Sequence, residues 1–356
     1  MGQLKGELPR TEITNGHVLA MARVGEDGEV YEWQEGWADL PAQQEATTGW
    51  AHHGLAVTRS GEIVGFHPER SEVVIFDKQG RAVRSWAVPL TEGHGITLVE
   101  EDGEEYLWIA DPGGKARRVP SGAYEVEPKQ GQVVKFDLDG SEVARLALPP
   151  HPAYESGRYA PTSVAVDDAG HGGGGDIWVG DGYGESLVHR FGPDGTYVSS
   201  LSGEEGGGRF DCPHAVFIDR RHEEPELWVA DRGNGRVQVY GLDGSFRRVV
   251  GGSFLNSPSA FAPYGDKLVI AELYARLAIV GPDDELICYL GDNGAVREHP
   301  GWPNGLDEHE HPVRTSELQP GRFNSPHGLT VDAAGNIYVA EWLIGGRMIK
   351  LVPVPL

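Results

Sequence analysis

One short unit recurs six times along this 356-residue chain, and no other property limits its fold as tightly. Each unit opens on a small residue, Pro or His, followed by alternating apolar residues. A Gly or Asp turn then leads to an apolar strand that usually ends in an acid. A third strand of the kind Val-x-x-Phe or Val-x-x-Tyr comes next, then a tight turn and an outer strand. The first strands lead from His53, His94, Thr162, His214, Ser259 and His327; the second end at His67, Asp111, Asp181, Asp231, Glu272 and Glu341. Third strands begin at Val73, Val133, Leu187, Val237, Leu277 and Met348. The pairs Asp139-Gly140, Asp194-Gly195 and Asp243-Gly244 place glycine where the turn to an outer strand needs positive φ. Self-similarity of this kind marks stacked supersecondary units. Six units of four short antiparallel strands predict an all-β, six-bladed β-propeller, one domain over residues 1–356.

The sixth unit runs out after Leu351, before a fourth strand. An N-terminal strand must supply it, or the last blade keeps an open edge; His17 to Val24 is the expected segment. Insertions stretch the second unit (115–131), the third (171–175) and the fifth (294–317), and long loops on a rigid scaffold are where ligand contacts concentrate.

Composition narrows the partners. Formal net charge is −24, which disfavours nucleic acid and acidic membrane surfaces, both polyanions. No apolar run reaches the ~18 residues of a membrane span, and the N-terminus lacks the apolar core of an export signal. Cys212 and Cys288 are the only cysteines and read as reduced thiols, so the expected location is cytoplasmic.

His94, His214 and His327 share one frame, directly before the first strand of units two, four and six. On a six-fold ring these units lie ~120° apart, so side chains at that position converge on the axis at one mouth. Three neutral imidazoles with an open fourth position suit zinc; iron, cobalt and manganese are the alternatives. His53 occupies the frame in unit one and is expected to face substrate or support the ligands. Units three and five carry Thr162 and Ser259 there instead. His52 and the remaining loop histidines, which share no frame, are expected to face solvent. The competing reading is a polar blade mouth whose histidines merely bond neighbouring loops. The acids Asp111, Asp181, Asp231, Glu272 and Glu341 are expected to accept backbone N–H bonds, and Trp108, Trp178 and Trp228 to fill the core between blades.

The runs Pro161-Thr-Ser-Val-Ala-Val, Trp178-Val-Gly-Asp-Gly-Tyr183, Gly207-Gly-Arg-Phe-Asp-Cys-Pro-His214 and Trp228-Val-Ala-Asp-Arg232-Gly-Asn-Gly-Arg236 together resemble NHL-repeat propellers, and in particular the peptidyl-α-hydroxyglycine α-amidating lyase domain. The likeness covers roughly residues 50–350. That lyase splits a carbinolamide into an amide and glyoxylate. The resemblance implies that His94, His214 and His327 are metal ligands and that Tyr183 and Arg232 are active-site residues. A second arginine of the family follows a Phe-His pair; here Phe66-His67 is followed by Pro68-Glu69-Arg70, which makes Arg70 its candidate and His67 a candidate substrate contact. Gly328 stands where the family has an Asp that helps hold a structural calcium, Ser325 replaces a methionine, and Gly184 replaces a disulfide cysteine. The expected function is therefore a metal-dependent lyase acting on a small polar molecule. A metal-dependent hydrolase and a non-catalytic propeller that docks protein partners are the alternatives, and a calcium-dependent lactonase ranks behind them. In the lyase, a metal ion and the Arg232 guanidinium are expected to draw the Tyr183 phenol below its usual pKa of about 10.

Overall fold

A computed structural model of the protein describes residues 11–14, 17–26, 28–40 and 46–355. Six antiparallel sheets form the blades of a β-propeller. Blade one contains Ala56–Val57, Ile63–Phe66, Glu72–Phe76 and Ala82–Ala87, from axis to rim, and blade two Gly95–Glu101, Glu104–Asp111, Gln132–Asp137 and Glu142–Arg145. Blade three is Ser163–Val166, Ile177–Asp181, Leu187–Phe191 and Tyr197–Leu201; blade four is Pro213–Asp219, Glu226–Asp231, Arg236–Gly241 and Phe246–Val250. Blade five is Pro258–Tyr264, Lys267–Glu272, Arg276–Val280 and Leu286–Leu290. Blade six takes Pro326–Val331, Ile337–Glu341 and Arg347–Pro353 from the C-terminal end of the chain. Inner strands of successive blades pack against one another around the whole ring.

An N-terminal strand closes that ring, but it is not the expected one. Tyr31–Glu35 pairs with Arg347–Pro353, and His17–Val24 lies one place farther out, against Tyr31–Glu35. Two details favour the 31–35 segment. Tyr31 and Trp33, alternate residues on one face, are fully buried between blades five and six. Glu35, meanwhile, receives Nε and Nη2 of Arg347, each at 2.7 Å.

Six apolar clusters lie between neighbouring blades rather than within them. Second and third strands are buried on both faces, which explains their runs of Val, Ile and Trp. Trp108, Trp178 and Trp228 are buried as expected, each in a different cluster. At Gly140, Gly195 and Gly244 φ is 89°, 78° and 89°, and each donates to the carbonyl three residues back. The adjoining ladder shifts by one residue, so these turns carry a bulge. Two of the insertions fold as small hairpins, Ala116–Arg118 with Tyr124–Val126 and Gly305–Leu306 with Pro312–Val313. Among the described residues no helix is long and apolar enough to cross a membrane, and Cys212 and Cys288 form no disulfide.

Candidate metal centre

A backbone irregularity aims the histidines. In blade four Pro213 pairs with Asp231 and Ala215 with Ala230, leaving His214 as an extra residue in the ladder. Blade six treats His327 the same way, between Pro326 and Gly328. In blade two the Ala110 carbonyl receives the His94 N–H at 3.0 Å while Ala110 pairs with Gly95. A bulge of this kind re-aims a side chain out of the regular pleat, here toward the axis. The buried acids at the ends of second strands hold the segments leading into the bulges. Asp111 accepts from Thr91 N (2.7 Å) and Glu92 N (3.2 Å), Asp231 from Asp211 N (2.8 Å), and Glu341 from Asn324 N (2.5 Å) and Ser325 N (2.9 Å). The glycines after two of the histidines let the next blade approach: a Cβ at Gly95 would lie 2.6 Å from the Thr162 oxygen, and one at Gly328 2.4 Å from the His53 oxygen. Position 328 therefore has no room for a carboxylate side chain.

His94, His214 and His327 are each 2 % exposed and face one another, with ring centroids 4.6–4.9 Å apart. They cap an axial channel of about 100 Å³ whose wall is otherwise mostly apolar, with Ile96, Val164, Val216, Phe261 and Leu329 in it. Each Nδ1 meets a main-chain carbonyl of the following blade: His94 that of Thr162 (2.6 Å), His214 that of Ser259 (2.8 Å) and His327 that of His53 (3.4 Å). A carbonyl only accepts, so Nδ1 carries the proton and Nε2 turns a lone pair to the centre. Even blades thus supply imidazoles and odd blades the carbonyls that orient them. Burial, reinforced by the neighbouring His52 for His94 and His327 and by Arg232 for His214, pushes all three well below the ordinary imidazole range, so they are neutral at pH 7.

Tyr183, in the turn after Ile177–Asp181, brings its hydroxyl to 3.2 Å from His94 Nε2 and 3.1 Å from His214 Nε2. Arg232, at the equivalent turn of blade four, donates from Nη1 to the same oxygen at 3.4 Å, its guanidinium 5.4 Å from the ring centroid. Burial pushes the Tyr183 phenol up to about 12 and outweighs the opposing pull of Arg232. The guanidinium alone does not lower the value; the sequence-based expectation of a lowered value rests on a metal ion together with Arg232.

His52 corrects the expectation of a solvent-facing loop residue. Its Nε2 lies 3.0 Å from the Tyr183 hydroxyl, and its Nδ1 faces Glu92 Oε2 at 3.3 Å. Together His52, His94, His214 and His327 offer four ring nitrogens within 4.8 Å of one another, a group that could hold a metal ion. Because a carboxylate accepts, His52 also presents a lone pair inward. Four converging lone pairs share a single hydroxyl hydrogen, that of Tyr183. This is an arrangement that a cation satisfies and a proton network does not.

The remaining expected site residues are placed elsewhere. His53 keeps the backbone role of its frame, but its ring is buried beside Glu341, Arg347 and Met348, in the wall between blades six and one. His67 is fully buried, and its Nδ1 accepts from Glu69 N (3.1 Å) and Arg70 N (3.0 Å), doing for blade one what the acids do in the other blades. It is capped by its own turn. Arg70 pairs with Glu72 of its own blade at 3.2 Å.

No family profile matches the chain. NHL repeat-containing protein 3 of Homo sapiens is 28 % identical over 298 residues, which cover 80 % of this chain and 73 % of that one. Peptidyl-alpha-hydroxyglycine alpha-amidating lyase 1 of Drosophila melanogaster is 25 % identical over 342 residues, 87 % of this chain and 58 % of that one. The chain is a homologue of NHL-repeat proteins. In fold it is similar to a streptogramin B lyase structure, with a TM-score of 0.53, 14 % identity, and coverage of 90 % of this chain and 97 % of that one. At that identity the likeness speaks for the propeller alone.

Proposed function

We propose that this NHL-type propeller is a metal-dependent lyase that breaks the C–N bond of a carbinolamide in a small polar substrate bound at the axial mouth. Zinc is the proposed ion, since an all-imidazole donor set suits it. The observation that carries the reading is the Tyr183 hydroxyl within 3.1–3.2 Å of two axial Nε2 atoms, with Arg232 behind it. Homology to a protein named as an amidating lyase supports it. When bound, the metal would polarise the substrate oxygen and ease loss of its hydroxyl proton. The chain's own residues do the rest. As a neutral phenol, Tyr183 gives its proton to the departing amide nitrogen while accepting the proton of the substrate hydroxyl. The C–N pair leaves on nitrogen, a carbonyl forms on carbon, and no redox partner is needed. Arg232 steadies the phenol oxygen and offers a fork for a substrate carboxylate. The acidic composition disfavours nucleic acid and acidic membranes as partners, and two cysteines outside any disulfide fit a reducing cytoplasm.

The test is metal analysis of purified protein followed by incubation with a small α-hydroxyglycine amide. About one transition metal per chain and release of glyoxylate are expected. Turnover that survives His327→Ala would overturn the mechanism. The slightly higher identity to NHL repeat-containing protein 3 lends weak support to a second reading, a non-catalytic module for protein partners; a preparation that binds no metal and turns over nothing would favour it.

A further inference from the structure

We infer that His52 is a fourth nitrogen ligand of the axial centre, so that a substrate oxygen would enter as a fifth ligand, and that the buried pair Glu92–Lys115 is the device that holds it there. The inference rests on the metal reading above. His52 does not belong to the repeated frame, yet its ring centroid lies 4.5 Å from that of His94 and 4.4 Å from that of His327, as close as those two lie to each other at 4.6 Å. What orients it also differs. The other three imidazoles use main-chain carbonyls, whereas His52 Nδ1 uses the carboxylate of Glu92. A carboxylate behind a histidine fixes its tautomer and raises the basicity of the opposite nitrogen, the arrangement found behind metal-bound imidazoles.

The carboxylate is itself secured. Glu92 Oε1 accepts from Lys115 Nζ at 2.6 Å, and Lys115 also reaches the Trp50 carbonyl at 3.2 Å. Glu92 is 1 % exposed and Lys115 4 %. A buried ion pair is no better for stability than an apolar packing of the same volume, so its location needs another reason, and the position of His52 supplies one. Lys115 opens the insertion of the second unit, and the rest of that insertion also grips the His52 segment. Tyr124 donates its hydroxyl to the Thr48 carbonyl at 2.7 Å and packs edge-on against Trp50 at 5.4 Å. Trp342 closes the other side, stacked on Trp50 at 5.8 Å and 5.6 Å from His52. The segment 48–52 is thus clamped by residues from blades two and six, and the side chain at its end is the one that reaches the axis.

The test strips metal from the full-length protein and titrates it with cobalt(II) chloride, following visible absorption and the X-ray absorption fine structure at the cobalt edge. In wild-type protein the fine structure is expected to count four imidazoles; a count of three overturns the assignment without recourse to any variant. His52→Ala is expected to weaken cobalt binding more than tenfold and to change the visible bands. Glu92→Gln, which keeps the shape of the side chain, is expected to weaken binding about 10- to 100-fold while retaining a four-imidazole spectrum, as a positioning residue should. A folded His52→Ala protein with wild-type affinity and spectrum overturns the assignment and leaves His52 as a hydrogen-bond partner of Tyr183. Wild-type protein that binds no cobalt overturns it together with the metal reading, whereas a metal-loaded centre of three imidazoles overturns this assignment alone.

Discussion

The Nε2 atoms of His94 and His327, contributed by blades two and six, lie 3.1 Å apart while both Nδ1 atoms are turned to carbonyl oxygens. Two lone pairs at hydrogen-bond distance with no hydrogen between them repel, and an ion that joins them removes the repulsion. Loading with zinc is therefore expected to raise the melting temperature, and a strong chelator to lower it. Free metal at 100 times its Kd adds about 2.7 kcal/mol. Differential scanning calorimetry of loaded and stripped protein checks this, and His94→Ala should abolish the difference.

Tyr183→Phe removes the one hydroxyl at the centre and leaves the ring to pack as before. Loss of the proton relay is expected to lower kcat by about 10²- to 10⁴-fold with metal content unchanged. Steady-state kinetics beside metal analysis on the same preparation separates this from a mutant that has simply lost its ion.

Arg232→Lys keeps the charge but loses the planar fork. If Arg232 clamps a substrate carboxylate, KM rises more than kcat falls, and a substrate whose carboxylate is replaced by a neutral amide narrows the gap between variant and wild type. Equal losses for both substrates would count against the clamp.

Acid should weaken the fold through histidines that are not ligands. Burial pulls His53 down to about 4 and His189, wedged between the Tyr154 hydroxyl and Ser200 Oγ, down to about 3. An unfolded imidazole titrates near pH 6.5. Below that value the unfolded chain takes up protons that the fold refuses. The contribution of these groups is complete above about pH 6.5 and is lost as pH falls toward 4 and then 3. Urea midpoints measured from pH 7.5 to pH 4 should decline, and His189→Gln should flatten the slope even if it lowers the whole curve.

Arg347 bridges Glu341 of its own blade (2.9 Å) and Glu35 of the closing strand (2.7 Å), with its side chain 2 % exposed. Arg347→Met strands two carboxylates and is expected to cost about 3 to 5 kcal/mol. Hydrogen exchange should show the loss first in Tyr31–Glu35.

Much of this was legible in the residues and some was not. Strand order and blade number follow from the repeat, because each unit needs the same alternation to bury its second and third strands. The three framed histidines follow from it too, since a repeat places equivalent residues at equivalent radii. His52 does not, because the repeat puts its neighbour His53 in the frame, and only the fold shows that this ring turns into the blade wall while His52 turns inward. Glu92 and Lys115, 23 residues apart, left no pattern, since their pairing depends on where an insertion lands. The closing strand was misplaced because the apolar alternation of His17 to Val24 resembles that of Tyr31–Glu35; what separates them is Glu35 facing Arg347, a partner 312 residues away. For Tyr183, removing water from the phenol outweighs what one guanidinium returns, so a lowered value would need the metal ion that the sequence reading pairs with Arg232.

That 312-residue clasp between Glu35 and Arg347 also sets a timetable. A ribosome delivers Tyr31–Glu35 long before its partner, Arg347–Pro353, exists. His327 lies in that same late blade, so a nascent or prematurely terminated chain can present His94 and His214 but not the third framed histidine. A centre with all three framed histidines therefore requires blade six to be in place.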